Sequence, residues 1–130
     1  MSMRTPLGKV LGRGSAGDGV AHWWVQRVTA IALIPLTLWF VASLLDKPLQ
    51  SWEAMHGWLA HPWVAVFTIL LAMTLAWHSW LGVQVVIEDY AHGKSLKTVL
   101  LVLSTFLHFA AAVAAVFAVL ILALSKGAVS

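Results

Sequence analysis

A chain of 130 residues that is 61% hydrophobic and 10% charged is no ordinary soluble domain, which would carry about a quarter charged residues. Its mean hydropathy of +0.88 indicates an integral membrane protein, and the absence of cysteine excludes disulfides, thiol chemistry and iron–sulfur ligation by this chain. The net charge of +3 does not call for nucleic acid: Arg4, Lys9, Arg13, Arg27, Lys94 and Lys97 fall on one side of the expected spans, against Lys47 and Lys126 on the other, which is a pattern that sets membrane orientation.

Three apolar runs, residues 28–45, 64–87 and 98–124, are visible. As helices they reach roughly 27, 36 and 40 Å against a hydrocarbon core of about 30 Å, so all three can cross and the longer two must tilt or project. The expected fold is an all-α membrane protein with transmembrane helices over about 23–45, 63–88 and 97–124, forming part of a heteromeric helix bundle. The charge asymmetry puts the N-terminus and the second loop in the cytoplasm. Residues 1–21, with five glycines, read as a flexible or partner-ordered arm ahead of a three-helix anchor over 22–127. The start lacks both a cleavable signal peptide and an arginine- and serine-rich presequence, which favours a bacterial cytoplasmic membrane over the mitochondrial inner membrane.

The first span is expected to open near His22-Trp23-Trp24, where indole rings suit the headgroup level, and to bend at Pro35, which frees the carbonyl of Ile31. Arg27 either snorkels to the interface or pairs with an anionic cofactor group, to which guanidinium is well matched. His22 stands near enough to help. Between the first two spans, Trp52, Met55, His56 and Leu59 recur at helical spacing with Glu53 off that face, which suits either a short interfacial helix or an irregular loop. Pro62 and Trp63 mark the outer end of the second span.

The second span carries the chemistry. His78 lies near its middle, where a titratable ring is costly unless something engages it. A neutral imidazole there can coordinate iron, most simply that of haem, or it can be a packing ring hydrogen-bonded to serine or threonine on another helix. Gly82 follows one turn later on the same face, where lack of bulk admits a flat macrocycle or simply a close helix. Asp89 follows His78 by eleven residues, about 16 Å along the axis and within about 20° of the same face, with Tyr90 beside it. This acid–phenol pair can serve a carbonyl that needs donors and protons, or it can be ordinary helix-end solvation. In the third span, Ala110, Ala111, Ala112, Ala114, Ala115 and Ala118 suggest close packing on a neighbour. His108 lies at a depth similar to His78 and is either a second axial ligand, a hydrogen-bonded packing residue or one that lines the cofactor pocket. His56 and His61 read as interfacial loop residues, and His92 and Lys94 as a solvated or partner-facing loop.

The string His78-Ser79-Trp80-Leu81-Gly82, then Glu88-Asp89-Tyr90 and Ala91-His92-Gly93, resembles the D-type cytochrome b membrane anchors of succinate dehydrogenase, respiratory complex II. Gln26-Arg27-Val28-Thr29-Ala30-Ile31 is similar to the first helix of that family, and the likeness runs from about residue 20 to 124. The resemblance implies a chain that is not catalytic alone. It would pair with a second membrane anchor, of the C type, and with iron–sulfur and flavoprotein subunits. His78 would supply one axial ligand to a shared haem b, with the other from the partner. Arg27 would lie near the haem propionates, and Tyr90 and Asp89 would border the ubiquinone site. Three other readings stay open: an anchor of quinol–fumarate reductase, a self-contained cytochrome using His78 and His108, and a cofactor-free scaffold whose histidines only pack helices.

Overall fold

A computed structural model describes residues 16–46 and 51–125, and every structural statement below concerns these. They form four helices, α1 (Ala16–Asp46), α2 (Trp52–Leu59), α3 (Pro62–Tyr90) and α4 (Lys94–Leu124), with no strand among them. Three of the four are long and apolar enough to cross a membrane. Their 31, 29 and 31 residues correspond to roughly 45 Å each, so they overrun a hydrocarbon core of about 30 Å and extend into the headgroup layer. Arg4, Lys9, Arg13, Lys47 and Lys126, which carry most of the charge asymmetry, lie outside the described residues, as does most of the arm.

α1 begins at Ala16, six residues ahead of the expected opening at His22. Gly17 and Gly19 each weaken a helix by about 1 kcal/mol relative to alanine, so the sequence pattern gives out before the helix does. The helix continues through Pro35 without a break in its assignment. The ambiguous segment after it is a helix. Ser51 caps α2, its Oγ accepting from the Ala54 N–H at 3.1 Å, and Glu53 sits in the first turn where a negative charge suits the helix dipole.

Short connections then dictate the order of packing. α2 leads through Ala60 and His61 straight into Pro62 at the first turn of α3, a position that needs no N–H donor. Residues 91–93 join α3 to α4, and a loop that short makes the two helices antiparallel neighbours. Lys97 Nζ donates to the Glu88 carbonyl at 2.8 Å, placing a cation at the C-terminal end of α3. α1 and α4 both pack against α3, and their backbones do not approach one another. The spans therefore form an open row, α1–α3–α4, rather than a closed bundle.

At the end of the row away from Tyr90, α2 folds back over α3 and α4. Leu59, Ala65 and Val119 are buried there with Trp58, Val64, Ile69, Leu122 and Ala123 around them. Trp39 stacks on Trp58 with ring centres 6.1 Å apart and meets Phe67 at 5.3 Å, tying α1, α2 and α3 together. His56 Nε2 lies 2.7 Å from Ser125 Oγ, so it is a fastening between α2 and the end of α4 rather than a free loop residue. Elsewhere burial is thin. No large side chain is fully enclosed, and on α4 only Ser104 and Val119 are buried. The alanine-rich stretch divides: Ala112 and Ala115 are half-buried, whereas Ala110, Ala111, Ala114 and Ala118 are exposed.

Leu81 on α3 is the most enclosed of the large apolar side chains, at 4% exposure. Leu81→Ala should lower stability by roughly 2 kcal/mol or more, seen as a lower unfolding midpoint of the detergent-solubilised protein, unless the helices close the gap. An unchanged midpoint would show that α3 is not held by this contact.

Candidate functional site

Helical periodicity brings one face of α1, formed by Gly19, His22, Trp23, Gln26, Arg27 and Ala30, against His78, Gly82 and Val85 of α3, which recur at four and three residues. Between them lies a groove of about 510 Å³. Three residues singled out for cofactor binding, His78, Gly82 and Arg27, therefore line one cavity, and His22 joins them. Asp89 and Tyr90 do not. The lining stops at Val85, one turn short of Asp89; Asp89 and Tyr90 are exposed, Tyr90 at 77%, and neither makes a side-chain hydrogen bond among the described residues.

The His78 ring is held from α1. Its Nδ1 lies 2.9 Å from Thr29 Oγ1, and that same oxygen lies 2.9 Å from the Val25 carbonyl and 3.0 Å from that of Gln26. A hydroxyl has one hydrogen, and carbonyl oxygens can only accept. If Thr29 donates to the backbone, Nδ1–H donates to Thr29 and every atom is satisfied. The reverse arrangement would leave oxygen lone pairs facing one another at hydrogen-bond distance. The favoured tautomer of His78 therefore carries its proton on Nδ1 and presents a bare Nε2, which has no hydrogen-bond partner among the described residues.

Further polar atoms line the groove. The Arg27 guanidinium carbon sits 5.1 Å from the centre of the Trp23 ring, a cation–π contact that keeps the charge at the groove. His22 Nε2 and Gln26 Oε1 are buried without a partner among the described residues, at a typical cost of about 1–3 kcal/mol each. Gly82 is not forced by α1, since an added Cβ would meet only Gln26 Nε2, at an ordinary 3.7 Å. What the glycine removes is bulk from the groove wall.

His108 is a different case. Its Nδ1 donates to the Ser104 carbonyl at 2.8 Å, and its Nε2, left as acceptor, takes the Ser79 hydroxyl at 3.1 Å. Both nitrogens are committed within the chain. The ring faces a second, almost wholly apolar groove of about 620 Å³ between α3 and α4, which shares no lining residue with the first. A haem held by His78 and His108 together does not fit this arrangement.

The groove suits haem on several counts. A bare imidazole nitrogen suits iron, the missing side chain at Gly82 leaves space beside it, and Arg27 with the orphaned His22 Nε2 suits carboxylates. Gln26 Oε1 is an acceptor and suits a carboxylate only if its amide turns over to present NH₂. Among the described residues no three His, Asp or Glu side chains converge, and the groove lining offers only His22 as a second imidazole ligand beside His78. His22 cannot be that ligand: Thr29, which meets His78, lies seven residues further along α1, roughly 10 Å away. The residues fit the group. Thr29 does not stand out in the sequence, because Thr37 and Ser43 are hydroxyl residues in the same apolar span.

Taken together, these features define a multispan helical membrane protein with a cofactor-sized groove on an open face. Residues 1–124 match the family model described as succinate dehydrogenase/fumarate reductase transmembrane subunit. A succinate dehydrogenase hydrophobic membrane anchor subunit from Rickettsia bellii is 34% identical over 117 residues, covering 88% of this chain and 94% of that protein. One from Paracoccus denitrificans is 31% identical over 114 residues, 88% of each chain. The succinate dehydrogenase membrane anchor subunit of Reclinomonas americana is 32% identical over 85 residues, 63% of this chain and 71% of its own. The chain belongs to the succinate dehydrogenase/fumarate reductase transmembrane subunit family.

The commitment of both His108 nitrogens gives a direct expectation. His108→Leu should cost about 1 kcal/mol of stability, in line with interhelical hydrogen bonds in membranes, while the visible absorption of the assembled complex stays as it was. Disappearance of that absorption would put His108 in the pigment site.

Proposed function

We propose that this chain is the D-type anchor of a succinate:ubiquinone oxidoreductase. In this reading it supplies one axial ligand to haem b, borders the site of ubiquinone reduction and holds the flavoprotein and iron–sulfur subunits to the membrane. The observation that carries the reading is the half-satisfied ring of His78: Nδ1 is engaged, and Nε2 stands free in a groove with Arg27 and two unpartnered polar atoms. A packing histidine on the other side of α3, His108, has no such free nitrogen.

His78 Nε2 would hold the haem iron, together with a residue of a second, C-type anchor. Arg27 and His22 receive the propionates, and Gly82 gives the macrocycle room. Bound there, haem supplies a one-electron acceptor and donor beside the quinone. Tyr90, at the exposed end of α3, donates its phenol to a quinone carbonyl, and Asp89 next to it serves proton delivery or holds nearby groups. Ubiquinone takes up two electrons, drawn from succinate through the soluble subunits, and two protons, and leaves as ubiquinol. The exposure of Asp89 and Tyr90 in this chain is compatible with a site completed by other subunits. That the relatives are named succinate dehydrogenase anchors supports the direction of succinate oxidation. The basic residues on one side of the spans support a cytoplasmic N-terminus, and the relatives from Rickettsia bellii and Paracoccus denitrificans favour the cytoplasmic membrane of a bacterium.

Copurification of the membrane complex with its reduced-minus-oxidised spectrum tests the reading. His78→Ala should abolish the low-spin b-type signal or convert it to another form; a wild-type spectrum would remove His78 as ligand. Tyr90→Phe keeps the ring and loses one hydrogen bond worth about 0.5–1.5 kcal/mol. Quinone reduction should accordingly fall roughly two- to tenfold while succinate oxidation by an artificial soluble acceptor survives. Equal loss of both activities would point to failed assembly instead.

A further inference from the structure

We propose that Thr29 is the positioning residue for His78, accepting the hydrogen bond of Nδ1–H and thereby fixing both the tautomer and the plane of the ring. The proposal rests on the reading of His78 as an iron ligand and assigns a task to a residue on a different helix. Three distances carry it: 2.9 Å from Thr29 Oγ1 to His78 Nδ1, and 2.9 and 3.0 Å from the same oxygen to the carbonyls of Val25 and Gln26.

The arrangement is a relay from backbone to ring. A threonine in a helix can turn its hydroxyl back to the carbonyl three or four residues earlier, and its branched Cβ keeps that rotamer. The hydroxyl hydrogen is then committed to the backbone, so the oxygen is left as a pure acceptor aimed at α3. Polarised by the carbonyl, it draws on the Nδ1–H and leaves Nε2 the stronger electron donor toward a metal. Thr29 and His78 are both half-buried within the row of spans, so the hydrocarbon around them offers no ready substitute for this bond. Without it the ring can rotate, or place its proton on Nε2 and close the ligand position. A more strongly donating ligand favours the ferric over the ferrous iron, so loss of the hydroxyl should raise the midpoint potential.

The test uses the full complex in membranes and three substitutions. Thr29→Val keeps the shape and removes the hydroxyl; Thr29→Ser keeps the hydroxyl; His78→Ala reports on the ligand itself. Thr29→Val should raise the haem midpoint potential, shift the largest g value of the ferric low-spin signal and speed haem loss to an apo-globin acceptor by about 10- to 100-fold, the usual range for losing a group that orients a metal ligand. Thr29→Ser should restore all three. A merely structural role for Thr29 would move none of the potential, the g value or the serine rescue. Should Thr29→Val fail to assemble, Thr29→Ala takes its place in the same comparison. If His78→Ala loses the low-spin signal while the hydroxyl-free variant matches wild type, Thr29 has no positioning role and the ligand reading stands. If His78→Ala keeps the signal, the ligand reading itself falls. A Thr29→Ser complex that behaves like the hydroxyl-free variant also overturns the proposal.

Discussion

A neutral imidazole inside a bilayer has one nitrogen that donates and one that accepts, and no water to serve either. This protein meets that demand in two ways on the two sides of α3. His108 engages both nitrogens inside the chain, with the Ser104 carbonyl and the Ser79 hydroxyl. His78 engages only Nδ1, with Thr29, and keeps Nε2 for the groove. The rest of the site follows from that unequal treatment. α1 must meet α3 at the height where Thr29 faces His78, and the same register carries His22, Gln26 and Arg27 to the groove wall.

The architecture leaves the groove on an open face of the helix row. Three helices in a row expose both broad faces, and among the described residues no large side chain is fully enclosed. In lipid, helices associate through close packing and polar contacts rather than hydrophobic exclusion, so an open face with unpartnered His22 and Gln26 atoms is a natural seat for another subunit or its cofactor. The exposed alanines of α4 offer a second surface on which a backbone can come close. By contrast, the end of the row under α2 is finished within the chain, where Trp58 closes on Trp39 and Phe40.

Much of this is legible in the sequence, and the parts that are not share a cause. The spans can be read because a membrane imposes a length on every helix that crosses it, and Pro62 and Gly93 stand where the chain turns. His78, Gly82 and Arg27 are recognisable as residues that do not belong in plain hydrocarbon, and all three line one groove. A hydrogen bond from His78 to a threonine is among the sequence expectations, but there it marks a mere packing ring. The structure shows that such a bond and a free ligand atom coexist, because each uses a different nitrogen. The start of α1 is hidden because its glycines are poor helix formers, and the role of Thr29 is hidden because no local pattern separates it from any other threonine in a span.

By itself, then, the sequence determined that three helices are long and apolar enough to cross a membrane and that His78 lies near the middle of the second, since hydrophobic length and helical rise are properties of consecutive residues. Only the tertiary structure decided that α1 and α4 flank α3, that His78 and His108 face separate grooves, and which nitrogen of each ring is committed. The physical reason is that a ring's tautomer is set by whatever atom lies against it, and for His78 that atom belongs to a residue 49 positions away on another helix.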